Sequence, residues 1–164
     1  MSMQSPRDLL VHELQSIYDV EQKILQMLPQ LVQETENAQA KQALQQHESE
    51  TRQQITNLEQ CLQALGSQAK GIPSQAISGL KQDRDSILKE KPSPEVLSLY
   101  NLVGVSKIES YEIASYKSLI EIANVLGEKQ CVQLLQQNLK QEEEMVKRVE
   151  QIAKQVSKQV ASQI

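Results

Sequence analysis

Apolar residues recur at steps of three and four along most of this 164-residue chain, the spacing that lines one face of an α-helix. The first stripe, Leu10, Leu14, Ile17, Ile24, Leu28 and Leu31, predicts a helix A from Pro6 to about Glu34. Ser5-Pro6-Arg7-Asp8 is a helix start, with a side-chain cap, a proline in the first turn and an acid facing the positive end of the helix dipole. Pro29 falls inside helix A and is expected to kink it or to end a first segment. A polar turn near residues 35–37 leads into helix B. Its stripe, Leu44, His47, Thr51, Gln54, Leu58, Cys61 and Leu65, stops at Gly66, a residue suited to the left-handed cap.

Residues 66–93 break the rhythm with three glycines, two prolines and several charges. A structureless loop of that length is uncommon in a compact domain, so this stretch reads as a crossover with one short helix at about 74–90. Ser93-Pro94-Glu95 repeats the helix start. Helix C follows, with a stripe of Leu97, Val105, Ile108, Glu112, Leu119, Ile122 and Leu126, and Gly127 breaks it. Helix D runs from about Glu128 through Leu135, Leu139, Glu142, Val146, Val149, Ile152 and Val156. Its Gln-rich end, KQVSKQVASQI, is expected to fray. The predicted fold is all-α: a ferritin-like four-helix bundle of two αα-hairpins joined by a long crossover with a short fifth helix. It forms a single domain over 1–164, with its core at about 6–158. An up-down-up-down bundle would not need the long third connection.

Composition narrows this further. There is no Phe or Trp, so Leu, Ile, Val and Ala must fill the core, which suits interdigitating helices better than a β-sandwich. Net charge is −4, with no basic patch, which disfavours nucleic-acid binding. No stretch is apolar enough to span a bilayer and MSMQSPRDLL lacks the apolar run of a signal peptide, so a cytoplasmic location is expected. Cys61 and Cys131 have no CxxC partner and read as two reduced, mostly buried thiols, the alternative being a reactive or redox-sensing thiol that nothing in the sequence supports.

The stripes contain an anomaly. Glu21, Glu112 and Glu142 each occupy a position where a core residue belongs, and Glu50 flanks the stripe of helix B. Glu21 and Glu50 lie 15 and 14 residues from position 36, and Glu112 and Glu142 each lie 15 residues from Gly127. Antiparallel helices rise equally, so each hairpin brings its two carboxylates side by side, ~22 Å from its turn. If the hairpins pack together, all four meet in mid-bundle. Buried anions repel and pay a desolvation cost of roughly several kcal/mol each. They must be protonated, paired with buried cations or bound to metal. Arg52, Lys107 and Lys117 are nearest in sequence but fall off the inward face. Hard oxygen donors in a bundle core suit iron or manganese, and so acidic a cluster suits two ions better than one. The competing reading shifts the stripes and turns Glu21, Glu50 and Glu142 into solvated surface acids.

Glu109 sits one turn from Glu112 and is a candidate terminal or mobile ligand. His47 shares a face with Glu50 and is either a ligand or hydrogen-bonded filler. His12, near the start of helix A, reads as structural. Tyr18, Tyr111 and Tyr116 read as packing residues whose hydroxyls find partners, including hydrogen bonds to a ligand carboxylate.

The segments ELQSIYDVEQKIL, HESET, KIESYEIASY and LLQQNLKQEEE resemble the YciF-type stress proteins, a bacterial branch of the ferritin-like superfamily. The resemblance spans about residues 7–155 and implies a compact, often dimeric bundle linked to stress responses. The site is also similar to that of rubrerythrin, a glutamate-rich dinuclear iron peroxidase. That similarity implies a helix A ligand in Glu21, bridging roles for Glu50 and Glu142, and a pair on helix C in Glu109 and Glu112. The chain departs from the usual Glu-x-x-His motif: Gln53 follows Glu50 and Met145 follows Glu142, while His47 precedes its glutamate. No rubredoxin-like cysteine module supplies electrons. Three functions follow: a dinuclear Fe or Mn oxidoreductase acting on peroxide or oxygen, with its catalytic residues and electron donor unassigned; a stress-induced dimeric scaffold that keeps the bundle without redox catalysis; and iron storage, which needs a cage that the implied dimer does not provide.

Overall fold

The computed structural model describes residues 3–162, which form five helices: α1 (Pro6–Glu34), α2 (Ala38–Ala64), α3 (Gln75–Lys89), α4 (Pro94–Val125) and α5 (Lys129–Ala161). Three of the long helices, α1, α2 and α4, begin on a side-chain cap in the sequence. Ser5 Oγ accepts from the Asp8 amide while the Asp8 carboxylate accepts from the Ser5 amide, closing a capping box at the start of α1. Asn37 caps α2 and Ser93 caps α4 in the same manner, each accepting from the amide three residues on. Gly66 and Gly127 end α2 and α4 at φ 71° and 73°, values that a side chain would strain. In both caps the residue after the glycine donates back into the last turn, Ser67 to Leu62 O and Glu128 to Ala123 O.

The long helices form a four-sided bundle. Hairpins α1/α2 and α4/α5 pack together through α1 against α4 and α2 against α5, so α1 faces α5 and α2 faces α4 across the diagonals. The crossover carries the chain back along α1, to which it is tied by Ile72 N donating to Gln15 O and Ser74 N donating to Asp19 Oδ2. Among the described residues no helix is long and apolar enough to cross a membrane.

The stripes of α1 and α2 are buried as expected. Three expectations change. Pro29 does not end α1: it lies on the exposed face, where the carbonyl that loses its partner is not buried in the core. The predicted stripes of α4 and α5 are buried at Val105, Ile108, Glu112 and Leu119 and at Leu135, Glu142, Val149, Ile152 and Val156, and differ at other positions. Ser98, Asn101 and Leu102 point inward in place of Leu97, and Asn138 and Met145 replace Leu139 and Val146, which are half-buried. The Gln-rich end of α5 stays helical to Ala161; residues 163–164 lie outside the described residues.

Candidate functional site: a buried carboxylate cluster

The bundle core is apolar towards both ends and acidic in the middle. Glu21 from α1, Glu109 and Glu112 from α4, and Glu142 from α5 are all fully buried. Glu21, Glu112 and Glu142 each offer a carboxylate oxygen within 4.8 Å of the others. Two of these groups, Glu21 and Glu142, approach across one diagonal of the bundle. Across the other diagonal, His47 Nε2 on α2 lies 2.9 Å from Glu109 Oε1, at ion-pair distance but without the alignment of a hydrogen bond. Both members of that pair are buried.

A layer of neutral polar groups borders the cluster. Tyr116 donates its hydroxyl to Glu21 Oε1, and Gln54 donates its amide to Glu142 Oε1. Asn138 Nδ2 donates to the Tyr116 hydroxyl at 3.1 Å and to Gln54 O at 3.3 Å, and Asn57 donates to Asn138 Oδ1 at 2.7 Å. Tyr116 and Gln54 thereby hold one oxygen each of Glu21 and Glu142. The other oxygens, Glu21 Oε2 and Glu142 Oε2, have no hydrogen-bond partner; neither do both oxygens of Glu112, Glu109 Oε2 or His47 Nδ1. Buried polar atoms left bare in this number are rare in a folded protein.

Burial decides the protonation of the metal-free cluster. Desolvation, then the charge of Glu142, pushes Glu21 up to about 8, against the opposing hydrogen bond from Tyr116. Desolvation also lifts Glu109, to about 7. Glu112 rises well above the ordinary carboxylate range through desolvation and the charges of Glu21 and Glu142, and Glu142 through desolvation and the charge of Glu109. Protons are therefore retained near neutrality where no cation replaces them. Every donor atom is a carboxylate oxygen apart from the single imidazole, a set suited to hard cations such as manganese and iron. The bare oxygens and this donor set fit a metal centre.

The structure thus brings Glu21, Glu112 and Glu142 together at the depth predicted, with Glu109 and His47 on their flank. It does not bring Glu50 in. Glu50 is half-buried and accepts from Gln46 Nε2 at 2.6 Å on its own helix face, near enough to Glu109 to raise that group's pKa. The inward positions of α2 at this depth belong to Thr51 and Gln54, and a helical residue one position off the stripe is turned by ~100°. Gln53 is exposed and donates to Asn57, whereas Met145 is buried. Tyr18 donates to Glu59, away from the cluster, Tyr111 is half-buried against the core, and His12 lies beside Glu13. Sequence reasoning missed the Asn57–Asn138 pair; the available signal was Asn138 one helical turn before Glu142.

The family model described as a domain of unknown function, DUF892, matches residues 5–162. Protein YciF of Escherichia coli strain K12 is 29% identical over 143 residues, covering 87% of this chain and 86% of the relative. The crystal structure of the E. coli stress protein YciF superposes with a TM-score of 0.88 at 26% identity, covering 95% of this chain and 99% of that one. YcfI from Rhodopseudomonas palustris superposes with a TM-score of 0.87 at 34% identity, over 91% and 95% of the two chains. A match over nearly the whole length, by sequence and by backbone, places this chain in the DUF892 family of YciF-like helical-bundle proteins.

Proposed function

We propose that this chain is a ferritin-like, cytoplasmic protein of the bacterial stress response, working as a homodimer without nucleic acid. Its carboxylate cluster holds two iron or manganese ions that react with peroxide or oxygen. The observation that carries the reading is the convergence of Glu21, Glu112 and Glu142 with oxygens that no protein group satisfies. Glu21, Glu112 and Glu142 hold the metal between them, and Glu109 with His47 binds from the second diagonal. Glu50 joins only by turning away from Gln46. Bound there, a redox-active metal pair supplies the electrons that reduce an oxidant. Tyr116 and Gln54 fix the rotation of the Glu21 and Glu142 carboxylates, so the remaining oxygens stay aimed at the centre. The apolar residues above and below keep bulk water out.

Metal analysis of protein reconstituted anaerobically with Fe(II) or Mn(II), followed by peroxide consumption, tests the proposal. Retention of about two ions per chain, lost in Glu112→Gln and Glu142→Gln, is expected. Absence of retained metal overturns it. One observation favours a second reading, a scaffold without redox chemistry. The Gln54 amide already holds an oxygen of Glu142, and Met145 occupies the place where the usual motif has a metal-binding histidine. The scaffold reading requires both substitutions to leave the protein's function intact.

A further inference from the structure

The two cysteines stand apart from the carboxylate cluster, at the end of the bundle where α2 finishes and α5 begins. Cys61 and Cys131 are 70 residues apart in sequence and fully buried against each other. Cys61 Sγ lies 3.8 Å from Cys131 O, and Cys131 Sγ lies 3.6 Å from Cys61 O, so each side chain reaches across the helix interface to the other residue. Each thiol thus donates to the backbone carbonyl of the other cysteine. They are unequal. Cys131 sits in the first turn of α5, where free amides and the helix dipole favour a negative sulfur. The Arg7 guanidinium is close by, held by Glu128 Oε1 at 2.6 Å and by Leu65 O. The contact with Cys61 lowers the Cys131 pKa, against desolvation and the charge of Glu128, and the same contact with desolvation raises that of Cys61. The Arg7 side chain, held at this end of the bundle by Glu128 and Leu65, is 49% exposed.

We propose that Cys61 and Cys131 form an oxidation site for small hydroperoxides, which convert the thiol pair into a disulfide linking α2 to α5. The Cys131 thiolate attacks one oxygen of the peroxide and the O–O bond breaks. Hydrogen peroxide leaves hydroxide, which takes a proton and departs as water, and Cys131 becomes a sulfenic acid. The Cys61 sulfur then attacks the Cys131 sulfur. The S–O bond breaks, and the departing hydroxide takes the Cys61 proton to form a second water. Two thiols lose two electrons in all, and one peroxide is reduced to two waters. The product ties the hairpins together across a long stretch of chain, the kind of crosslink that most restricts the unfolded state. The site is independent of the carboxylate cluster and of any metal there.

Peroxide treatment of the folded, metal-free full-length chain, followed by non-reducing peptide mapping, tests this. The expected product is one intramolecular Cys61–Cys131 crosslink, with a higher melting temperature that dithiothreitol reverses. In Cys61→Ser, Cys131 is expected to accumulate as sulfenic and then sulfinic acid, trapped by dimedone at the first stage. In Cys131→Ser, Cys61 is expected to react much more slowly. Mapping of the wild-type chain decides the matter even if a variant fails to fold. A crosslink that forms only in denaturant, a crosslink between chains, or sulfinate at either cysteine of the wild-type chain without the internal disulfide overturns the proposal.

Discussion

Glu112 shows what the cluster costs the metal-free protein. Both its oxygens are buried without a partner, and desolvation with neighbouring charge holds its pKa well above 4.5. The unfolded chain releases this proton near 4.5; the folded chain keeps it until a much higher pH. Between those values the folded state binds the extra proton, so raising the pH favours unfolding, by ~1.4 kcal/mol per pH unit for each proton so linked. Glu21, pushed up to about 8, adds to the same slope. Stability of the metal-free protein should therefore be greatest near the carboxylate range and fall steadily towards pH 8. Glu112→Gln should flatten that fall and melt higher than wild type at pH 8, while matching it near pH 4, as read by thermal melts across pH. A Glu112→Gln variant less stable than wild type at pH 8 would show that the carboxyl is not under this strain. Tyr116→Phe tests the layer beside it. Removing the hydroxyl deprives Glu21 Oε1 of its donor and Asn138 Nδ2 of one acceptor, and is expected to cost about 1–3 kcal/mol in urea unfolding. These side chains differ in how far the sequence exposed them. Glu21, Glu112 and Glu142 interrupt apolar stripes and could be placed by counting from the turns. Glu50 and Glu109 could not be ranked that way, because each is one position from a stripe and a small helix rotation decides which points inward. The buried face of α4 is wide enough to take in Glu109 beside Ile108 and Glu112, and the register of α2 left Glu50 at the flank.

Among the helices, α3 is the least anchored. It buries Ile77 alone, while the long helices each bury eight or more residues. Leu80 packs against the core beside it, Lys23 Nζ donates to Ser78 Oγ at 3.5 Å, and Arg84 donates to Glu34 and to Asn101 Oδ1, tying α3 to the end of α1 and the start of α4. Arg84→Ala should lower the local opening free energy of residues 75–89 by about 1–3 kcal/mol, the worth of hydrogen bonds to charged groups. Hydrogen exchange should speed up there and stay unchanged in the middle of α4 and α5. Uniform acceleration across all helices would mean that α3 is part of the global folding unit. The helix boundaries were legible because they rest on local chemistry: Ser before Pro at 5 and 93, and Gly at 66 and 127. The behaviour at Pro29 was not, since whether a proline ends a helix depends on which side its bare carbonyl faces, and that follows from packing.

For the molecule as a whole, protons and metal compete for one set of oxygens. Near neutral pH the metal-free cluster retains protons on Glu112 and Glu142, most of that on Glu21, and part of that on Glu109. A cation coordinated by these oxygens must displace them, so binding is linked to proton release. Calorimetric titration of Mn(II) into the protein at pH 7, repeated in buffers of different ionisation enthalpy, should show an observed enthalpy that varies with the buffer and corresponds to about two or more protons released per chain. Apparent affinity should rise with pH through the same range. Because metal binds the folded chain alone, saturation at ~100 times the dissociation constant should stabilise it by ~3 kcal/mol, and a chelator should remove the gain. The metal-loaded protein should also lose the fall in stability towards pH 8, since the groups that caused it are then ionised and neutralised in the folded state. Tight binding without proton release would place the metal elsewhere, on the exposed acids of the helix surfaces, and leave the buried carboxylates as a protonated core.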